Sequence, residues 1–263
     1  MGPVVDIISG LKAVEDDLTK VSAGLGVLAA GDPQIDVVNR STVLSDSEYA
    51  KYVVAIQTQI TRDFAPRWKI DARVQFVQVA DPTHWQLIIL DTSDQAGVLG
   101  YHETGISGTP IGYVFAKTDL DNGASVSVTM SHEILEMLGD PDINLCVQMN
   151  STQFVAAENA DCCEADADGY LIGDVLVSDF VLPAYFQMSV PGPFDFKNWL
   201  TDRMPTIRPE GYLSIWDASA GGWTQKNGSL IVTPKAKFLA RPKNGSRRAR
   251  RMIPRDQWLK STI

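Results

Sequence analysis

The sequence is short of the features that would place it quickly. Three cysteines in 263 residues, two of them adjacent (Cys162 and Cys163), exclude a disulfide framework and point to a reducing compartment. No apolar run approaches the roughly 18 residues that span a bilayer. The opening Met1-Gly2-Pro3-Val4-Val5-Asp6 has neither the basic region nor the apolar core of a signal peptide, and Asp6 argues against myristoylation, so neither is expected. There is no internal repeat. Only three histidines are present, so one inside a motif carries weight.

What is present is an ordinary globular composition, 44% hydrophobic and 21% charged, with an uneven charge distribution. The net charge is −9, yet residues 235–263 hold ten Lys/Arg against one acid, so residues 1–234 carry −18. That balance argues against a nucleic-acid-binding core and marks the tail, with Arg247-Arg248-Ala249-Arg250-Arg251, as a separate feature. The tail has two readings, weak contact with nucleic acid or, given Phe238, Met252 and Trp258, docking on a protein surface.

Val4, Ile7, Leu11, Val14, Leu18, Val21, Leu25 and Leu28 alternate spacings of three and four, a heptad seam over residues 1–31. Two readings stay open: a helix packed on its own domain, or a self-associating helix that makes the protein a homo-oligomer. Gly31-Asp32-Pro33 closes this segment, and a polar stretch leads to a helix start at Ser45. Tyr49, Tyr52, Val53, Ile56, Ile60 and Phe64 predict a helix reaching Trp68. Strands are expected over 72–79, 85–90 and 111–116, with a glycine-rich loop over 97–112. Asp168-Gly169 reads as a hairpin turn. The organisation is thus an N-terminal helix (1–31), a main domain (46–234) and a basic tail (235–263).

The chemistry concentrates in Ser131-His132-Glu133-Ile134-Leu135-Glu136-Met137-Leu138-Gly139-Asp140-Pro141-Asp142, or H-E-x-x-E-x-x-G-x-x-D. Three histidines and eight glutamates would produce His-Glu-x-x-Glu by chance only about 0.003 times. Four residues apart on a helix, His132 and Glu136 share a face and can hold one metal ion. Glu133 stands beside them, where a metallohydrolase carboxylate takes the proton of the attacking water. Ile134, Leu135 and Leu138 supply a burying face, leaving His132, Glu133 and Glu136 toward a cleft. Gly139 is suited to end the helix in the left-handed conformation. A third ligand is needed, and it comes from Asp142 or from the acidic run Glu158–Glu164, with Glu158 and Asp161 foremost. Cys162 and Cys163 read as small buried residues, and an EF-hand starting at Glu164 fails for want of an acid at position 175. His84 and His102 read as ordinary polar residues, His102 having the better functional claim. Tyr185 reads as a buried aromatic with a weaker claim on an oxyanion.

The helix and turn resemble those of metzincins, particularly the snapalysin-like ones with a third aspartate, with glutamate replacing the second histidine. By that resemblance Met188 would form a methionine turn beneath the metal. A wider stretch, about residues 60–225, resembles a group of phage and prophage proteins through Gly100-Tyr101-His102, Gly108-Thr109-Pro110, Ser131–Pro141, Glu158–Glu164 and Val177–Phe186. The exordium-like proteins share a similar His-Glu-x-x-Glu. These resemblances imply that Glu136 is a ligand in its own right, that Glu158 or Asp161 is favoured over Asp142, and that the fold is α+β and zincin-like. They imply a divalent cofactor, zinc first, although the carboxylate-rich set tilts toward manganese or calcium. The expected function is metal-dependent peptide hydrolysis in a virion or host cytoplasm; the alternative is a virion structural or assembly protein with a weak or inactive site.

Overall fold

The computed structural model describes residues 31–239, apart from 96, 106–107 and 230–232. The heptad segment and the arginine run therefore lie outside the described residues. The described residues from Pro33 onward form a single mixed α and β unit containing three sheets. Among the described residues no helix is long and apolar enough to cross a membrane.

The main sheet holds β1 (Gln34–Asn39), β2 (Arg73–Val77), β3 (Trp85–Leu90), β4 (Gly100–Thr104) and β5 (Pro110–Phe115) in the order β2-β1-β3-β5-β4. All pairings are parallel except that of the edge strand β4 with β5. β1 falls in the stretch read as polar, so the folded unit begins before residue 46. Asp36 hid it by interrupting Ile35, Val37 and Val38. In the fold Asp36 is buried but satisfied, accepting from Gln75 Nε2 (2.8 Å) and the Asp81 amide (2.8 Å) and facing His84 Nδ1 (3.1 Å). His84 is thus engaged in strand packing.

Helix α1 (Asp46–Thr58) starts at Ser45, whose side chain accepts from the Glu48 amide, with Asp46 and Glu48 in its first turn. The helical path continues through a π-helical stretch, Gln59–Phe64, into α2 (Ala65–Trp68), so the expected helix to Trp68 is present with a widened middle. Tyr49, Val53, Ile56, Ile60 and Phe64 are all buried. α3 (Ala116–Asp121) leads to α4 (Val126–Gly139), which carries the His-Glu-x-x-Glu run. α4 packs against β4, β5 and β9 (Val175–Val177). Its Met130, Ile134 and Leu138 join Ile35, Leu87 and Phe64 in the principal core.

The expected loop over 97–112 is largely strand, β4 and the start of β5. Its glycines serve close packing: a Cβ on Gly112 would stand 2.9 Å from Met137 Sδ, and one on Gly100 would stand 2.8 Å from Glu133 Oε1. The hairpin turn also moves. β8 (Tyr170–Ile172) and β9 are joined through Gly173, with φ +62°, whereas Asp168 is buried and held by Arg208 at 2.6 Å.

A second, antiparallel sheet, β11-β10-β7-β6, comprises β6 (Cys146–Gln148), β7 (Gln153–Ala156), β10 (Tyr212–Asp217) and β11 (Gly222–Asn227). Its core contains Val155, Leu213 and Ile215 with Cys162, Cys163 and Tyr185. Both cysteines are therefore packing residues, and the Tyr185 hydroxyl donates to the Thr206 carbonyl at 2.6 Å. Short helix α5 (Pro234–Leu239) docks the start of the basic tail: Phe238 packs with Leu99 and Ala124, and Lys235 Nζ donates to the Glu164 carbonyl (2.8 Å) and to Asp166 (2.7 Å).

Candidate metal centre

Helix α4 is apolar on most of its circumference and is buried over residues 126–138. His132, Glu133 and Glu136 are accordingly enclosed between elements and do not line an open cleft. Gly139 is the last helical residue and is not left-handed; the following Asp140 has φ −141°. What requires glycine is Asn159, whose Nδ2 would stand 2.5 Å from a Cβ there. That same Nδ2 donates to the Leu135 carbonyl at 2.7 Å, satisfying one end of the helix and tying it to the acidic run that follows.

The i,i+4 pair meets as expected: His132 Nε2 lies 3.2 Å from Glu136 Oε1. Asp161 joins from the short 3-10 turn Asp161–Cys163, with Oδ1 3.5 Å from His132 Nε2. Glu164, three residues on, falls on the same side of such a turn, and the ligand atoms of His132, Asp161 and Glu164 all lie within 4.8 Å of one another. Glu164 belongs to the run singled out in the sequence but was not chosen from it; the Asp-x-x-Glu spacing was the available signal. Glu158 is buried, yet is not among the residues whose ligand atoms lie mutually close in this way among the described residues. Asp142 is exposed. Asp140 is buried, and its carboxylate accepts from the Asn144 (2.9 Å) and Leu145 (3.1 Å) amides, shaping the turn after α4. Met188 is 62% exposed, unlike a buried floor for this centre.

His102 stands closer to the centre than its place in the sequence indicates. It sits on β4 two residues after Gly100, so both present the same strand face to α4. Its Nδ1 lies 3.6 Å from Glu133 Oε2 and 3.8 Å from Glu136 Oε2, and its Nε2 lies 3.1 Å from the Asp140 carbonyl. A carbonyl only accepts, so Nε2 donates to it and Nδ1 faces the carboxylates. Glu133 is wedged between Gly100 and His102, and its Oε2 is buried with no hydrogen-bond partner among the described residues.

Burial pushes the His132 imidazole down, but the charge of Glu136 and hydrogen bonding to Asp161 and Glu136, helped by Glu133, hold it well above its ordinary value. The donor set itself fits a divalent cation. Ligand atoms 2.0–2.2 Å from a four-coordinate ion stand about 3.3–3.6 Å apart, and His132 Nε2 is separated from its two carboxylate oxygens by 3.2 and 3.5 Å. His132, Glu136 and Asp161, with Glu164 alongside, are the residues that would hold it.

Comparison with known protein families, curated proteins and solved structures found no match in any of the three.

Proposed function

We infer that this protein is a metal-dependent hydrolase with a zincin-like centre and peptide bonds as its substrate class. The observation that carries the reading is the approach of Glu136 and Asp161 to His132 Nε2, at 3.2 and 3.5 Å, with the buried Glu133 carboxylate on the same helix. A divalent ion held there would supply Lewis acidity to the scissile carbonyl and to the attacking water. Glu133 takes the water's proton and returns it to the leaving amine. Gly100 and His102 hold the Glu133 side chain in place, one by leaving room for it and the other by facing Oε2. The mixed sheet followed by a site-bearing helix agrees with the zincin-like resemblance. Zinc follows from that resemblance; the preponderance of carboxylates pulls toward manganese. By the wider resemblance, the protein is phage- or prophage-encoded and works in a virion or the host cytoplasm, with the heptad segment as its self-association element.

The test is Glu133→Gln. It is expected to retain the ion at His132, measured by metal analysis, and to lose cleavage of a mixed fluorogenic peptide library by at least about 100-fold, the scale of general-base catalysis. Wild-type protein that binds no divalent metal, or a variant that hydrolyses as fast as wild type, overturns the reading. A second reading, a structural metal site in a virion component, is favoured by one observation: the ligands are all under 9% exposed, and structural sites are closed where catalytic sites keep a position open. Bound metal without hydrolysis by the wild type selects it.

A further inference from the structure

The centre contains more ligand geometry than one cation uses. Beyond His132, a second group of mutually close ligand atoms is formed by His102, Glu133 and Glu136. We propose that the centre seats two divalent cations, the second among His102 Nδ1, Glu133 Oε2 and Glu136 Oε2, with the Glu136 carboxylate bridging the two.

Three independent features carry this. Glu136 divides its oxygens, Oε1 lying 3.2 Å from His132 Nε2 and Oε2 lying 3.8 Å from His102 Nδ1, so each faces a different imidazole. The Asp140 carbonyl accepts from His102 Nε2, which directs Nδ1 toward two carboxylate oxygens at 3.6 and 3.8 Å. These separations suit metal ligation better than a direct hydrogen bond. Finally, Glu133 Oε2 is buried at this point, on a residue 3% exposed, with no hydrogen-bond partner among the described residues.

Charge supports the same count. Glu133, Glu136, Asp161 and Glu164 bring four carboxylates to two imidazoles, all buried. One divalent ion leaves two negative charges in a low-dielectric place and two leave none; buried charges that stay uncompensated are costly. Lys235 does not fill the deficit, since its ammonium is committed to the Glu164 carbonyl and to Asp166. Paired ions about 3.5–4 Å apart, sharing a carboxylate, are a recurrent device for activating water and stabilising a leaving group. Filled in this way, the second seat makes Glu133 a ligand as well as a neighbour of the reacting water.

The proposal rests on His132, Glu136 and Asp161 being the first seat, and the experiment separates the two. Full-length protein is stripped with chelator, reloaded with excess Mn2+, and freed of unbound ion. Manganese per chain is then counted, and low-temperature electron paramagnetic resonance is recorded for coupling between paired ions. Wild type is expected to hold two coupled ions; His102→Ala and the near-isosteric Glu133→Gln are each expected to hold one, uncoupled. Glu133→Gln keeps the test informative if His102→Ala does not fold. One ion in wild type, unchanged in Glu133→Gln, overturns the second seat and leaves the first standing. Two ions in every variant likewise overturn it, by locating the second ion elsewhere. No ion in wild type overturns both readings.

Discussion

Asp179 offers a prediction whose sign and size follow from the structure. It lies just after β9, fully buried, and its Oδ1 accepts from the amides of Phe180 (2.8 Å) and Lys197 (3.2 Å). Its neighbour Asp195 is also buried and accepts from the amides of Trp199 (2.9 Å) and Leu200 (3.0 Å). Burial, then hydrogen bonding to Asp195 and its charge, push the Asp179 carboxyl up to about 9. An unfolded aspartate titrates near 3.9, so the native state holds a proton that the unfolded chain releases between about pH 4 and 9. Stability from this group is therefore fully present at low pH and is lost as pH rises through that window, by up to about 1.4 kcal/mol per unit. Asp179→Asn keeps the acceptor oxygen and can donate its amide to Asp195, but has no proton to lose. The variant is expected to match wild type near pH 5 and to exceed it by about 4 kcal/mol near pH 8, an order-of-magnitude figure. Urea unfolding of both proteins at several pH values between 5 and 8 checks this, because other titrating groups cancel in the difference. Parallel stability curves would refute the retained proton on Asp179.

Two glycines on the walls of the centre give further predictions. Gly139→Ala, which would ordinarily strengthen a helix, is expected to destabilise by about 1–3 kcal/mol in urea unfolding, because its Cβ displaces the Asn159 amide from the Leu135 carbonyl. Gly100→Ala places a Cβ 2.8 Å from Glu133 Oε1. It is expected to cut peptide hydrolysis at least about tenfold while the His132 site still binds metal, since a small displacement of a catalytic group costs rate before it costs fold. Steady-state kinetics beside metal analysis would show the dissociation; equal loss of metal and activity would mean the strand–helix contact supports the ligands instead.

Much of the main unit was legible because its elements are locally specified. The periodicity from Tyr49 to Phe64 predicted a buried helical face, and β3 appears over the expected Trp85–Leu90. Other elements were hidden where tertiary contacts override local signals. Asp36 disguised β1 because its polar partners come from β2 and the loop before β3. Gly100 and Gly112 made two strands resemble a loop, since glycine marks flexibility in sequence and close approach in this fold. Gly139 shows the same ambiguity at a helix end.

The sequence by itself determined the pairing of His132 with Glu136 and the placement of Glu133 beside them, because four residues make one helical turn wherever the helix lies. Only the tertiary structure decided what joins them. Asp161 and Glu164 arrive from a turn held against α4 by Asn159, and His102 arrives from an edge strand whose glycine lets it approach Glu133. Those separations of about 25 to 35 residues leave no trace in local spacing. The choice among Glu158, Asp161, Glu164 and Asp142 depended on where the chain returns, which is set by packing.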